Sequence, residues 1–213
     1  MNIVILGPQG SGKGTQAKLL AEKFSLIHLE MGNVLRLKAE EKTPLGEEIA
    51  GLINKGLIVP DEITFSLVRN YLTSQNLGKG IIFDGFPRRV SQSEWLDAEL
   101  AKTGTPIDYL IYLELSKEES LRRLSGRRHC PKCNRNYNLI TMPPLKDDLC
   151  DDCQVKLETR EDETPEAITE RLENFQNSTY PVVAYYERQN KVLRINGEAS
   201  VEDVFKEILG ALA

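Results

Sequence analysis

Residues 7–15, "GPQGSGKGT", follow the apolar run "NIVIL" at 2–6 and lead into the helical pattern "TQAKLLAEKF" at 15–24. A glycine-rich loop between a strand and a helix lets backbone N–H groups surround a phosphate, and the helix N-terminus adds partial positive charge. Lys13 follows Gly12 and can reach the β- and γ-phosphates, which argues against a glycine turn without a ligand. The stretch therefore predicts a nucleoside triphosphate site. The residues expected around the phosphates are Gly10, Ser11, Gly12, Lys13, Gly14 and Thr15.

The rest of the chain alternates strand and helix patterns. Short apolar runs predict strands at 2–6, 26–29, 80–84, 109–115 and 191–195. Helical patterns lie at about 15–24, 33–40, 44–54, 61–73 and 91–102, then from Ser116, from Thr164 to about 189, and from Ser200. Glu119 is placed to complete a capping box with Ser116. This alternation predicts an α/β fold of three layers, a doubly wound, parallel five-stranded sheet with helices on both faces.

Length and charge limit the class of protein. The chain has 213 residues, of which 40% are hydrophobic, and a formal net charge of -5. The length fits one globular domain with small insertions. The negative charge argues against duplex DNA as the main partner, because sequence-independent affinity for DNA comes from neutralising phosphates. The N-terminus has no basic n-region, and no run approaches the ~20 apolar residues that span a bilayer. We therefore expect a cytoplasmic protein without a membrane partner.

Four cysteines predict a metal site. Cys130 and Cys133 form one Cys-x-x-Cys pair, in "GRRHCPKCN" at 126–134, and Cys150 and Cys153 form a second pair. Four thiolates at this spacing favour one structural, tetrahedral zinc over disulfides or free thiols, although soft thiolates also bind other transition metals. Zinc knuckles flanked by arginine also occur in nucleic-acid-binding proteins. Against that alternative, acids crowd the second knuckle at positions 147, 148, 151 and 152.

Two motifs carry a family resemblance. The general phosphate loop has Ser or Thr directly after the lysine, whereas this chain has Gly14 and then Thr15. This shifted "GKGT" resembles that of the nucleoside monophosphate kinases. "FDGFPRRVSQ" at 83–92 is similar to the adenylate kinase signature around the acceptor nucleotide. With the cysteine module, the chain resembles the bacterial-type adenylate kinases, which have a long zinc-binding lid, and the resemblance extends over nearly its whole length.

The resemblance implies roles on the acceptor side. Asp84, at the end of a buried strand, would hold waters of the magnesium ion, and Gly85 would let the backbone approach a base. Arg88 would bind the acceptor phosphate and Gln92 would read adenine. The other residues implied in AMP binding are Met31, Arg36, Val59, Arg160 and Arg171.

One segment departs from the family pattern. Adenylate kinases usually have Ser-Thr-Gly-Asp before the helix that carries Arg36, whereas this chain has "EMGN" at 30–33. Met31 cannot donate the hydrogen bond that a threonine hydroxyl offers to adenine, although a thioether can pack on a base face. Selectivity for adenine is therefore open, and another or a broader acceptor is the first alternative.

Phosphoryl transfer needs cations rather than a general base. The two histidines, His28 and His129, lie in no catalytic motif. A phosphate monoester has a second pKa of ≈ 6, so an attacking phosphate oxygen is already largely ionised at neutral pH. By resemblance, Arg123, Arg127, Arg160 and Arg171 join Lys13, Arg36 and Arg88 around the phosphates. Arg122 and Arg128 are expected on solvated surface. After Arg160 the family often has two aspartates, of which Asp162 is present and Glu163 replaces the second.

The resulting prediction is an adenylate kinase that catalyses MgATP + AMP ⇌ 2 ADP. Lys13, Asp84, Arg88, Arg123, Arg160 and Arg171 would be catalytic, and Arg123 and Arg127 would also bind ATP. We expect a P-loop core (1–29, 60–126 and 161–213), an acceptor domain (30–59) and a zinc lid (127–160). The expected partners are ATP, AMP and ADP, without nucleic acid, and the chain is expected to be a monomer. A zinc-ribbon nucleic-acid-binding ATPase and a kinase-like binding protein without catalysis are the alternatives from other classes.

Overall fold

A computed structural model describes residues 1–75, 77–160 and 163–213. Asp162 is therefore outside the described residues. The five residues of the first strand, "NIVIL", are all buried, as expected for the central strand of a covered sheet. The strands are β1 (Asn2–Leu6), β2 (Ile27–Glu30), β3 (Ile81–Asp84), β4 (Tyr109–Glu114), β5 (Arg127–His129), β6 (Asn136–Asn138) and β7 (Val192–Asn196).

Five of these strands form one parallel sheet in the order β2-β3-β1-β4-β7. The chain moves from β1 outward to one side and then to the other, which is doubly wound topology. The prediction of a parallel five-stranded sheet is confirmed. Asp84, the last residue of β3, is in register with Ile5 of β1 and Glu30 of β2. The carboxyl ends of these three strands therefore lie side by side, where ligands bind in open α/β sheets.

Helices connect the strands. They are α1 (Lys13–Phe24), α2 (Met31–Ala39), α3 (Pro44–Asn54), α4 (Asp61–Ser74), α5 (Val90–Ala101), α6 (Lys117–Ser125), α7 (Pro165–Asn174), α8 (Tyr180–Glu187) and α9 (Val201–Ala211). The long helix predicted from Thr164 to about 189 is helical throughout Pro165–Glu187, although it is not a regular α-helix over its whole length. A π-helical turn, Phe175–Thr179, separates α7 from α8. Pro181 lies in the first turn of α8, and its missing N–H removes one hydrogen bond of a regular α-helical ladder there.

Side-chain caps fix where several helices begin. Thr43, Ser116, Thr164 and Ser200 each accept a hydrogen bond from the backbone N–H three residues later. The capping box predicted at α6 is only half formed. The Glu119 carboxylate binds Arg122 and Arg123, each at 2.6 Å, and the backbone N–H of Ser116 donates to Glu198 instead. Two charged donors therefore replace the backbone N–H as partners of Glu119.

The sheet separates two apolar layers. Side chains alternate along β1, so that Val4 and Leu6 lie on one face while Ile3 and Ile5 lie on the other. The first face packs against α4, α5 and α8, and the second against α1 and α9. This is the three-layer arrangement predicted from the sequence. No helix among the described residues is long and apolar enough to cross a membrane.

The segment between α6 and α7 has its own small structure. β5 and β6 pair antiparallel in a separate two-stranded sheet, and isolated bridges connect His129 to Glu158 and Leu149 to Lys156. Its buried cluster consists of Tyr137, Leu157 and two cysteines, Cys130 and Cys150. So small an apolar cluster agrees with the loss of periodicity in this part of the sequence.

Candidate functional site

The glycine-rich loop turns sharply between β1 and α1. Gly10 has φ 87° and Gly12 has φ 84°, values that favour glycine because a side chain would be strained there. Lys13 begins α1 and lies beside the crevice that opens at the carboxyl edge of the sheet, together with Gly14. Ser11 is buried, and its Oγ has no hydrogen-bond partner among the described residues. The loop therefore presents backbone and Lys13 to the crevice.

Gly14 allows the loop and Asp84 to lie close together. A Cβ at Gly14 would lie 3.2 Å from Asp84 Oδ2, a tight contact. This explains the glycine directly after the lysine, where the general motif has a larger residue. Asp84 is buried and also lies 3.7 Å, through Oδ2, from Nε2 of His28. A carboxylate so close to a phosphate loop has the oxygen chemistry that Mg²⁺ prefers, so the residues fit a magnesium ion bound with a nucleotide.

One crevice brings together most of the predicted cations. It is lined by residues from the phosphate loop, from α2 and α3, from β3, from residues 127–160, which carry β5 and β6 and are called the β5–β6 segment, and from α7. The cationic side chains on its wall are those of Lys13, Arg36, Arg88, Arg127, Arg160 and Arg171. The carboxylates on the described part of the wall are Glu30 and Asp84 alone. The excess of positive charge makes this crevice a site for polyanions.

The cost of gathering these cations is visible in two pKa values. Burial, with smaller contributions from Arg127, Arg88 and Arg171, lowers the pKa of Lys13 to about 8, and Asp84 opposes this shift. Burial also lowers the pKa of Arg88 to about 10, and Arg171 adds to that effect. A bound phosphate would reverse both shifts because it supplies the missing negative charge. The crevice is therefore electrostatically incomplete without an anion.

Polar contacts orient the arginines. Arg88 Nε donates to the carbonyl of Gly85 at 3.0 Å, and Arg171 Nη2 donates to the carbonyl of Ile53 at 3.0 Å. Arg127 Nη1 is 2.6 Å from Oε1 of Glu163, whose carboxyl group is buried, and Arg160 Nη2 donates to Asn136 Oδ1 at 2.5 Å. Each of these bonds uses part of a guanidinium, which has five N–H donors. In Arg88 and Arg127 the remaining N–H donors can serve a ligand.

The predicted acceptor residues meet around Gly85. This glycine has φ 78°, and a Cβ on it would lie 3.6 Å from Arg88 Nη2 and 3.9 Å from Met31 Cβ. Gly85, Arg88 and Val59 line the crevice, whereas Met31 lies just behind its wall and is buried. Val59 and the backbone of Gly85 therefore offer a surface suited to the face of a base, next to the charged Arg88.

Gln92 does not reach the crevice wall. It is buried in the first turn of α5, where Oε1 accepts from the backbone N–H of Arg88 at 2.7 Å. Its Nε2 donates to Asp61 Oδ1 at 2.8 Å. Both ends of the amide are thus engaged within the protein, directly behind the loop that carries Gly85 and Arg88. Its predicted contact with a base would require the side chain to exchange these partners.

Arg123 also lies away from the crevice. Its guanidinium is buried and donates to the carbonyls of Gly197 and Glu198 at 2.8 and 3.1 Å, and Nε binds Glu119 at 2.6 Å. It thus connects α6 to the turn after β7. The neighbouring Arg122 is exposed and paired with Glu119, in agreement with the expectation of solvated surface.

Some residues that line the crevice were not predicted from the sequence. Gln9 lines the crevice, and its Oε1 is buried without a partner among the described residues. Asn136 and Glu30 line it as well and contact Arg160 and Arg36. Gln9 follows a proline in the phosphate loop and Glu30 ends a strand, so position alone could have suggested these two. Nothing local marks Asn136.

The four cysteines meet at one point. The Sγ atoms of Cys130, Cys133, Cys150 and Cys153 all lie within 4.8 Å of one another. Those of Cys133 and Cys150 are 3.7 Å apart. With Zn–S bonds of ≈ 2.3 Å, two ligands of a regular tetrahedron are about 3.8 Å apart. The thiolates therefore fit a single zinc ion, and four ligands leave no position for a substrate.

The two knuckles share one backbone pattern. Cys130 N–H donates to the carbonyl of Arg135, and Cys150 N–H donates to that of Val155, five residues on in both cases. The fourth residue after each of these cysteines, Asn134 or Gln154, has φ near 56° and donates its N–H back to the carbonyl of that cysteine. Repetition of a strained turn around the four thiols indicates a built metal site rather than a chance cluster.

Several arginines of this segment have partners within the protein. Arg135 binds Asp152 at 2.7 Å and lies 3.5 Å from Asp151. Arg128 donates to the backbone carbonyls of Ser125 and Arg127. Arg127, by contrast, faces the crevice. The segment therefore does not present the uncompensated basic surface that phosphate backbones require.

Known proteins with the same features identify the family. The family model described as adenylate kinase matches residues 5–191. The adenylate kinase of Thermosipho africanus is 41% identical over 212 residues, which cover 100% of this chain and 99% of that protein. Those of Thermoanaerobacter sp. (strain X514) and Clostridium botulinum (strain 657 / Type Ba4) are 39% and 40% identical, and each match covers 100% of this chain and 98% of the relative. With its phosphate loop, cationic crevice and parallel sheet, the chain belongs to the adenylate kinase family.

Proposed function

We propose that this protein transfers the γ-phosphoryl group of MgATP to AMP and forms two molecules of ADP, reversibly. The observation that carries the proposal is the crevice, whose wall combines six cationic side chains from separate parts of the chain with Asp84. Two nucleotides that meet end to end bring several phosphate charges to one place, and a wall of this charge is suited to hold them.

The donor would occupy the phosphate loop. Backbone N–H groups at 10–15 and the Lys13 ammonium would hold its β- and γ-phosphates. Arg127 would bind the same phosphates from the β5–β6 side, because it is on the crevice wall. Contact of Arg123 with ATP, which the family resemblance implies, would require its guanidinium to exchange partners such as the carbonyl of Gly197.

The acceptor would lie between α2, α3 and β3. Arg36, Arg88 and Arg171 would bind its phosphate, and Arg160 would reach it from the β5–β6 segment. Val59 and the backbone of Gly85 would bound its base, with Met31 and Gln92 supporting that wall from behind. Because the acceptor and the donor would bind to different elements, their phosphate groups could face each other in line.

The reaction requires no side chain that moves a proton. An ionised oxygen of the AMP phosphate forms a bond to the γ-phosphorus, and the bond from that phosphorus to the β–γ bridging oxygen breaks. Both nucleotides leave as phosphate anions. None of the described residues on the crevice wall is a histidine, which agrees with this chemistry. The side chains bind, align and neutralise charge.

Two metals complete the proposal. Asp84 would hold the Mg²⁺ that accompanies ATP, through water, and the bound ion would neutralise charge on the phosphates. Zinc on the four thiolates would make the segment 127–160 move as one rigid body. Closure of that segment over the crevice would exclude water, which otherwise competes with AMP for the γ-phosphoryl group.

Domain roles and cellular context are part of the same proposal. Residues 1–29, 60–126 and 161–213 would form the core, 30–59 the acceptor domain and 127–160 the lid. We propose a cytoplasmic monomer, because the substrates and reduced thiols fit a reducing compartment and a crevice between moving parts needs freedom to close.

A broader acceptor range is the second candidate. It is favoured by Met31, which has no hydrogen bond to offer a base, and by the engaged amide of Gln92. The test is to incubate the purified protein and MgATP separately with AMP, GMP, CMP and UMP, and to quantify each diphosphate directly. Lys13→Met serves as the inactive control. We expect ADP from AMP at a rate well above that of the other three.

Each of the other possible outcomes excludes adenine selectivity or the kinase activity itself. If another monophosphate equals or exceeds AMP, the acceptor pocket is not selective for adenine. If single-stranded RNA stimulates ATP hydrolysis while AMP yields no ADP, the protein is a nucleic-acid-dependent ATPase and the kinase proposal fails. If no monophosphate reacts and ATP still binds, the protein has retained nucleotide binding without catalysis.

A further inference from the structure

An ion pair lies inside the acceptor side of the crevice. Glu30 ends β2, and its Oε1 is 3.4 Å from Nη2 of Arg36, which is in the following helix. Both side chains are partly exposed, at 39% and 30%. Arg36 folds back over the start of α2, where its Nη1 would lie 3.3 Å from a Cβ on Gly32. In this position the guanidinium faces Glu30 before any phosphate arrives.

Glu30 has no role in the proposed reaction. It is one of two carboxylates on the described crevice wall, and the other, Asp84, is assigned to the magnesium ion. A carboxylate repels the acceptor phosphate and competes with it for Arg36. Its presence in a site that otherwise collects positive charge therefore needs an explanation.

The sequence around Glu30 shows a displaced charge. Where the family pattern has Ser-Thr-Gly-Asp, this chain has Glu30, Met31, Gly32 and Asn33. The single acidic residue of this stretch is therefore the first of the four here and the last of the four in the family pattern. Position 33 lines a neighbouring cleft between α2, α3 and the β5–β6 segment, whereas position 30 lines both that cleft and the crevice. The exchange brings the negative charge into the crevice.

We propose that Glu30 sets the affinity for the acceptor by acting as an internal counter-ion of Arg36 that the acceptor phosphate must displace. This inference rests on the proposed function. An ion pair between partly exposed groups is weak, and a phosphate carries ≈ -1.5 to -2 charges against one for a carboxylate, so the phosphate wins the competition at the expense of affinity. Glu30 acts through Arg36 and is a positioning residue.

The test removes the charge and keeps the shape. Glu30→Gln is compared with wild type by steady-state kinetics with AMP and MgATP varied in turn, and by calorimetric titration of AMP. We expect the KM and Kd for AMP to fall about three- to tenfold, from loss of competition and of repulsion. The KM for MgATP should stay within twofold. Glu40→Gln is the matched control, because exposed Glu40 lines the neighbouring cleft but not the crevice.

The same substitution in a variant without Arg36 distinguishes competition for Arg36 from general electrostatic repulsion. In Arg36→Met, the additional change Glu30→Gln should lower the KM and Kd for AMP by a clearly smaller factor than in wild type, because the competition for the cation is gone and only the repulsion of the phosphate remains. Equal affinity of Glu30→Gln and wild type, weaker binding, or an undiminished effect in the Arg36→Met background would each overturn the inference. If the wild-type chain forms no ADP from AMP, the proposed function itself fails and this inference fails with it.

Discussion

Removal of one zinc ligand should disable the segment 127–160 while leaving the sheet intact. Cys133 is the most exposed of the four cysteines, and the change Cys133→Ser removes its thiolate with little effect on packing. The apolar cluster of this segment includes Tyr137 and Leu157, and full burial of two such side chains contributes about 3–6 kcal/mol. Zinc binding at structural sites contributes ~10–16 kcal/mol at neutral pH. Bound zinc would therefore be the largest single stabilising contribution to this segment.

Loss of the metal should appear in three measurements. Wild type is expected to contain one zinc per chain by elemental analysis, and Cys133→Ser less than a tenth of that. Limited proteolysis should cut the variant within 127–160 while fragments of the core persist, because the two apolar layers of the sheet lie elsewhere. ADP formation should fall at least about tenfold, since an unclosed crevice admits water and misplaces Arg127 and Arg160.

The control is a neighbour in the same turn. Lys132→Ser changes an exposed residue between Cys130 and Cys133 and should retain zinc, protease resistance and activity. A wild-type protein without zinc or another bound metal would refute the reasoning. So would a Cys133→Ser variant that has lost the metal but keeps both its protease resistance and its activity, because the segment would then be stable without the ion.

Two further predictions concern the cations. Since burial lowers the pKa of Lys13 to about 8, the ammonium loses its proton as the pH rises through that value. The kcat/KM for MgATP should therefore fall above pH 8, while kcat falls only at higher pH because bound phosphates raise the pKa; identical pH profiles would contradict this. Arg127→Met should lower kcat/KM for MgATP by about 10²-fold through loss of a charge aimed at the phosphates, whereas Arg128→Met, whose guanidinium binds backbone carbonyls off the crevice wall, should change it less than twofold. Similar losses in both variants would show that the effect is not specific to the crevice.

The parts of the fold that the sequence predicts well depend on local patterns. "NIVIL" followed by a glycine-rich loop predicts a buried strand and a helix start because both depend on neighbouring residues. A metal site at the four cysteines can also be predicted from local sequence, because the spacing within each Cys-x-x-Cys pair brings its two thiols together. The π-helical turn at 175–179 could not be predicted from Pro181, because proline in the first turn is also compatible with a regular helix start.

Side-chain positions that depend on distant partners could not be read in this way. Gln92 turns to Asp61, which lies 31 residues away, and Arg123 turns to Gly197, which lies 74 residues away. A motif indicates which residue types are present but not which of several donors and acceptors each one meets in the folded chain. Glu30 shows the same limit, because its approach to Arg36 depends on how α2 follows β2.

Because the crevice is positively charged, we expect its closure to depend on whether nucleotides are bound. Arg127 and Arg160 come from the two ends of the segment 127–160, and each is held by a partner near that segment, Glu163 or Asn136. Bringing two more cations toward Lys13 is unfavourable when no anion is present, because like charges repel; after burial, Arg127 is one of the causes that lower the pKa of Lys13. Bound phosphates reverse the sign of that interaction. We therefore expect nucleotides to favour the closed crevice, so that water is excluded when the phosphates to be joined are present. Glu30 fits this scheme as a single negative charge that keeps Arg36 in place, and it is too weak an anion to substitute for a substrate.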